Sequence, residues 1–120
     1  MTPTLSATRH VHLDIELDPE RQFHFRSRGQ DGRRIALHRG DALTFTCSGP
    51  FSIGFAGPSP FSETAPRSHP ETMLQSHEWF ITVHVPESTP YTVFPYSVAV
   101  TAGDGTFEDH AEIVIECVEK

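Results

Sequence analysis

The stretch from Glu78 to Val118 constrains the fold more than any other part of the chain. It reads EWFITVHVP, then, after Glu87–Pro90, YTVFPYSVAVTAGDGTFEDHAEIVIECV. Ile81, Val83 and Val85 alternate with Thr82 and His84. Tyr96, Val98 and Val100 alternate with Ser97, Ala99 and Thr101, and Ile113, Ile115 and Cys117 alternate with Glu112, Val114 and Glu116. An apolar period of two, rich in β-branched residues, describes strands that bury one face and wet the other. The GDG turn with the acidic segment after it, which places Asp109 and His110 on a turn, is expected to reverse the chain between the last two strands.

The same period runs through the earlier chain. In HVHLDIEL, Val11, Leu13, Ile15 and Leu17 face one way, and His10, His12, Asp14 and Glu16 the other. Asp18-Pro19-Glu20 ends that strand with turn chemistry. RQFHFRSR reads as a second strand, GQDG at 29–32 as a turn, and RRIALHRGD leads into DALTFTC, where Leu43, Phe45 and Cys47 point inward. FSIGF follows, with Phe51, Ile53 and Phe55 in alternation. Residues 1–8 read as a loose tail and 9–120 as one domain. At 120 residues, about two thirds of the unfolded surface can be buried, enough for one core without metal or disulfide support. Seven or eight short strands and almost no helix predict an all-β, antiparallel Greek-key sandwich of cupredoxin-like or immunoglobulin-like type.

One segment breaks the pattern. Residues 56–77 hold four prolines and no sustained period, so they read as a long connection with one short helical turn near Glu71–Gln75. Connections of this length are uncommon in compact domains and more often functional than shorter ones. Pro58, Phe61, Trp79 and Phe80 at its two ends are candidates for an aromatic ligand or partner site. Against that stands the plainer reading that Phe61 and Trp79 cap the core.

The run GDALTF followed by PFSIGFAGPSPF, and the closing YSVAVTAGDG with AEIVIE, resemble small cupredoxin-like bacterial β-sandwich domains of unknown function. The matching positions are Gly40, Asp41, Leu43, Phe45, Ser59, Pro60, Phe61, Tyr96, Val98, Val100, Ile113 and Ile115, over about the last two thirds of the chain. The resemblance implies a sandwich, and its cupredoxin analogy raises the question of copper. A blue-copper centre needs two His and a Cys thiolate with a weak axial Met. In cupredoxins Cys, His and Met cluster between the last two strands, whereas AGDGTFEDHAE has His110 but neither Cys nor Met. Electron transfer through blue copper is therefore rejected.

Other chemistry is less pointed. Eight histidines include His10 and His12, two apart on one strand and so on one face, where they could chelate a divalent metal with His24, His38 or His84. Ordinary solvated histidines are the plain alternative. Arg21, Arg26, Arg28, Arg33, Arg34 and Arg39 crowd a segment with Asp31 as its single acid, while residues 101–120 carry six acids and one lysine. Cross-strand pairing with the acidic hairpin is the first expectation, and recognition of an acidic ligand the second. No G-x-S-x-G, P-loop or HExxH is present, so no catalytic residue is assigned and no resident cofactor expected.

The net charge of −7 disfavours nucleic acid, whose phosphates need Lys and Arg, and anionic membranes. MTPTLSATRH lacks an apolar signal core, which makes a cytoplasmic location the default expectation. Cys47 and Cys117 are expected as two inward, reduced thiols, with a bridge between sheets as the alternative. The sum is a small binding or interaction module, able to dimerise through edge strands, with a metal-binding or enzymatic domain on the His-rich face as the rival reading.

Overall fold

A computed structural model describes residues 9–61, 69–70, 79–103 and 105–117. Among these residues ten strands run in chain order: β1 His10–Leu17, β2 Phe23–Ser27, β3 Gln30–Asp31, β4 Arg34–Leu37, β5 Ala42–Cys47, β6 Phe51–Gly54, β7 His69–Pro70, β8 Trp79–His84, β9 Val93–Ala102 and β10 Gly105–Ile115. Among the described residues there is no helix. The strands form a six-stranded sheet, ordered β3-β2-β1-β5-β8-β7, and a four-stranded sheet, ordered β4-β10-β9-β6.

The alternating residues supply the two inner faces. Leu13, Ile15, Leu43, Phe45, Cys47, Ile81 and Val83 come from the larger sheet. Ile35, Leu37, Phe51, Ile53, Phe94, Tyr96, Val98, Val100, Ile113 and Ile115 come from the smaller one, and all belong to one buried cluster. Each fully buried Leu, Ile or Phe contributes about 1.5–3 kcal/mol, so this doubled layer holds the sandwich together. The all-β sandwich expected from the period of two is the fold.

The sheets are mixed rather than antiparallel throughout. β1 runs parallel to β5, with Val11 opposite Leu43 and Ile15 opposite Cys47, and β4 runs parallel to β10, with Ile35 opposite Ile113. Parallel neighbours cannot be joined by a hairpin. β2, β3 and β4 fill the crossover between β1 and β5.

Three local expectations are corrected. Residues 106–112 are strand, not an acidic loop: Asp109 and His110 lie in mid-β10 opposite Val98 and Ser97. GQDG is not one turn, because Gln30 and Asp31 pair with Ser27 and Arg26 to make β3. Cys117 is exposed while Cys47 is buried, and the two are not bridged to each other. β10 ends at Ile115, so the inward alternation stops before Cys117. The 56–77 connection contains β7, in which His69 and Pro70 pair with Phe80 and Trp79. The expected tail and the helical turn at Glu71–Gln75 lie outside the described residues.

One corner of the sandwich is stitched shut. Gly32 links β3 to β4, and a Cβ there would stand 2.0 Å from the Phe25 carbonyl oxygen. The Gln30 side-chain amide then imitates a strand: its Oε1 accepts the Ala36 N–H at 2.7 Å and its Nε2 donates to the Ala36 carbonyl at 3.3 Å. Arg33 crosses the same corner, donating to the Phe23 carbonyl, the His110 carbonyl and the Asp109 carboxylate, with its guanidinium 4.6 Å from the Phe25 ring centre.

Candidate functional site

The residues that alternate outward on the six-stranded sheet form a polar face. Its rows follow from the register. Asp14 stands between Arg26 and Thr46, His12 beside Thr44, and Thr44 beside Thr82. His10 and His12 project from the same face, as two residues apart on a strand must. Their rings lie nearly parallel with centroids 5.0 Å apart. His10 Nε2 and Thr44 Oγ1 are hydrogen bonded at 2.6 Å, and Thr44 Oγ1 meets Thr82 Oγ1 at 2.9 Å. This chain of side chains buries Thr44 although it sits on the outer face.

Beside the histidine pair runs an open groove of about 950 Å³. Its floor is Arg9 and, in β1, His10 to His12 and Asp14. Arg26, Ser27, Arg28 and Gln30 of the β2–β3 hairpin form one wall, and Thr46 of β5 reaches in from the other side. The hairpin tip is the two-residue turn Arg28-Gly29, with Gly29 at φ 76°, a conformation that suits glycine. Ser27 Oγ donates to the His12 carbonyl at 2.7 Å, fastening the wall to the floor.

Arg9 enters the groove from a fixed base. Its Nε and Nη2 donate to Asp41 Oδ2 at 3.0 and 2.6 Å. The same oxygen accepts the His38 N–H at 2.8 Å, and the Ala42 N–H donates to the Arg9 carbonyl at 2.9 Å. Asp41 is almost fully buried, so the first described residue is anchored to the turn that opens β5. Nearby, Arg26 donates to Glu16, a hydrogen bond that raises its pKa. Thr46 Oγ1 donates to Asp14 at 3.1 Å.

The six clustered arginines separate. Arg33 and Arg34 pair with Asp109 and Glu112 of β10, as cross-strand pairing predicts. Arg21 lies over Phe107 and Arg39 over Tyr91, and Arg39 Nε donates to the Thr89 carbonyl at 2.7 Å. Arg26 pairs with Glu16. Arg28 alone among them lines the groove without an ion pair among the described residues.

The other candidates are dispersed. His24 Nε2 is hydrogen bonded to Asp18 Oδ2 at 2.8 Å. The backbone N–H of Gln22, joined by that histidine, holds the Asp18 carboxyl below its ordinary pKa. His84 lies opposite Ala42, two strands from β1 and so about 10 Å from His10 along the sheet. His38 lies on the turn before Asp41. Among the described residues, no group of three or more His, Cys, Asp or Glu is placed to hold a metal.

Pro58, Phe61, Trp79 and Phe80 do not share one surface. Pro58 is exposed. Phe61 is buried against Phe55, with ring centres 5.9 Å apart. Its N–H donates to Ser59 Oγ, while Thr89 Oγ1 donates to the Pro60 carbonyl at 2.9 Å. Trp79 is paired with inward-facing Cys47 and packs against the core. Phe80 is paired with Thr46 on the opposite face.

The sequence reading missed Arg9, Ser27, Gln30 and Thr46. Outward alternation could have placed Thr46, but only the register brings the β2–β3 hairpin beside β1. Comparison with known protein families and with curated proteins finds no match to this chain. No described helix is long and apolar enough to cross a membrane.

Proposed function

We propose that the protein is a small binding module whose ligand site is the groove between β1 and the β2–β3 hairpin. The observation that carries this reading is the concentration, around one cleft of about 950 Å³, of hydrogen-bonding side chains on braced strands. Clefts of some 300–1,000 Å³ are the size that small ligands use, and the polar and charged lining of this one suits a polar ligand. Arg9 is held by Asp41 and Ser27 by the His12 carbonyl, so the site is organised before a ligand arrives.

A thermal-shift screen of small polar metabolites tests the reading. A true ligand raises the Tm of the native chain by binding only the folded state, and His12→Ala together with Arg28→Ala abolishes the shift. A ligand whose shift survives both substitutions, but disappears when residues 56–77 are replaced, would move the site to the long connection with Pro58 at its exposed end.

The projection of His10 and His12 from one face supports a second reading, a divalent metal held by these two residues with ligands from elsewhere. Metal content measured by mass spectrometry, on protein purified without a nickel step, separates the two. One transition metal per chain, lost in His12→Ala, would support the metal site. The cupredoxin-like resemblance remains a proposal about ancestry. A homodimer through edge strands would have to avoid β4 at Ala36, where Gln30 already fills the edge.

A further inference from the structure

We propose that the groove recognises a small organic carboxylate, held by Arg28 with His12 as its neighbour. This rests on the groove being the ligand site. Two of the three arginines around the groove are already committed. Arg9 is neutralised by Asp41 and Arg26 by Glu16, whereas Arg28 has no ion-pair partner among the described residues. His12 is similar: its ring stacks on His10, and neither ring nitrogen has a hydrogen-bond partner among the described residues.

The backbone puts these two groups on the same side of the cleft. Asp14 is opposite Arg26 in an antiparallel register, which carries Arg28 toward His12, and both line the groove. Gly29 at φ 76° and the Ser27–His12 hydrogen bond fix the base of Arg28. A guanidinium presents its donors in a planar fork that matches a carboxylate's two oxygens.

Charge decides between carboxylate and phosphate. Arg9 and Arg26 are neutralised by Asp41 and Glu16 from outside the lining, which leaves Arg28 set against Asp14 within it. A wall so nearly neutral, on a chain of net charge −7, compensates a monoanion better than a dianion. The bound carboxylate lies against Arg28, and the organic remainder extends over the histidine pair toward Thr46.

The test is an NMR titration of backbone amides in the full chain with benzoate, benzamide and inorganic phosphate. Benzoate is expected to shift Arg28, Gly29 and His12 with millimolar affinity, and benzamide and phosphate to bind roughly tenfold more weakly or less. Arg28→Gln, on an exposed turn, should weaken benzoate by about tenfold, while Arg34→Gln leaves it unchanged. Phosphate binding more tightly than benzoate would overturn the inference, as would undiminished benzoate binding by Arg28→Gln or no binding at all. Equal groove shifts from benzoate and benzamide would sink the carboxylate but keep the groove. Shifts confined to other parts of the sandwich would sink the groove itself.

Discussion

Replacing Tyr96 by Phe should make this protein more stable. The Tyr96 side chain is 2% exposed, packed edge-on against Phe45 at 5.8 Å and tilted against Phe55 at 5.9 Å. Its hydroxyl is buried with no hydrogen-bond partner among the described residues. Burying an unpaired hydroxyl costs about 1–3 kcal/mol. The lost oxygen forfeits only a few dispersion contacts of about 0.1–0.2 kcal/mol each. The net gain is about 1 kcal/mol, or an increase of about 3–5 °C in Tm for a domain of this size. Urea denaturation should show the midpoint rising at unchanged slope, since the surface exposed on unfolding hardly changes.

Alkaline pH supplies an independent check on Tyr96. Burial pushes its phenol pKa well up, only partly offset by the Arg33 charge. A pKa raised in the folded state means the native protein holds the proton more tightly than the unfolded chain. Its stabilising contribution is complete below the unfolded value of about 10 and falls as the pH rises above it. Tyr96→Phe should remove that part of the alkaline decline. A variant destabilised by 1 kcal/mol or more, with its alkaline limb unchanged, would refute the argument and require a bonded hydroxyl.

Four further outcomes are expected. Asp41→Ala should cost about 2–3 kcal/mol in chemical denaturation, because the His38 N–H and two Arg9 donors lose one buried acceptor. Thr89→Val should cost about 1–2 kcal/mol, since it leaves the Pro60 carbonyl without its donor, and calorimetry would register the loss. Burial pushes the Asp109 carboxyl up, but the hydrogen bonds from Arg33 and the His110 N–H, with the nearby positive charge, together outweigh it and the net pKa is lowered. Its contribution is therefore present above about pH 4 and lost as the pH falls through the depressed value; Asp109→Asn should flatten that part of the acid limb. Gln30→Ala uncovers the β4 edge at Ala36 and should produce concentration-dependent self-association by sedimentation.

The faces of the strands were legible because burial imposes a period of two. Leu13, Phe45, Val83, Val98 and Ile113 all point where that period places them. Strand direction was not legible: Val11 opposite Leu43 reads the same whether the pair is parallel or antiparallel. The end of β10 was also hidden, because Cys117 continues the alternation after the pairing has stopped. Loop composition misled at 106–112, where Glu108, Asp109 and Glu112 resemble a turn but occupy a hairpin strand with one face toward water. The arginine segment showed its charge but not its allocation. That depended on β10 lying beside β4, which brings Asp109 and Glu112 to Arg33 and Arg34. The groove was least visible, since Ser27 and Gln30 reach β1 through the antiparallel β1–β2 register and the short β3 hairpin, and Thr46 only through the long-range parallel pairing with β5.

The parallel pairing of β4 with β10 has a consequence for how the chain comes together. β4 is made early, and β10, its ladder partner, follows only after β5 to β9. β1 and β2 can zip locally as a hairpin, but the smaller sheet cannot assemble before β10 is present. Contacts so distant in sequence require the cost of closing a large loop before they give anything back, which places folding in the millisecond-to-second range rather than among fast folders. During that interval the β4 backbone has no β10 partner. The Gln30 amide, only six residues away from Ala36, can then act as an early local guard that keeps the waiting strand from joining another chain.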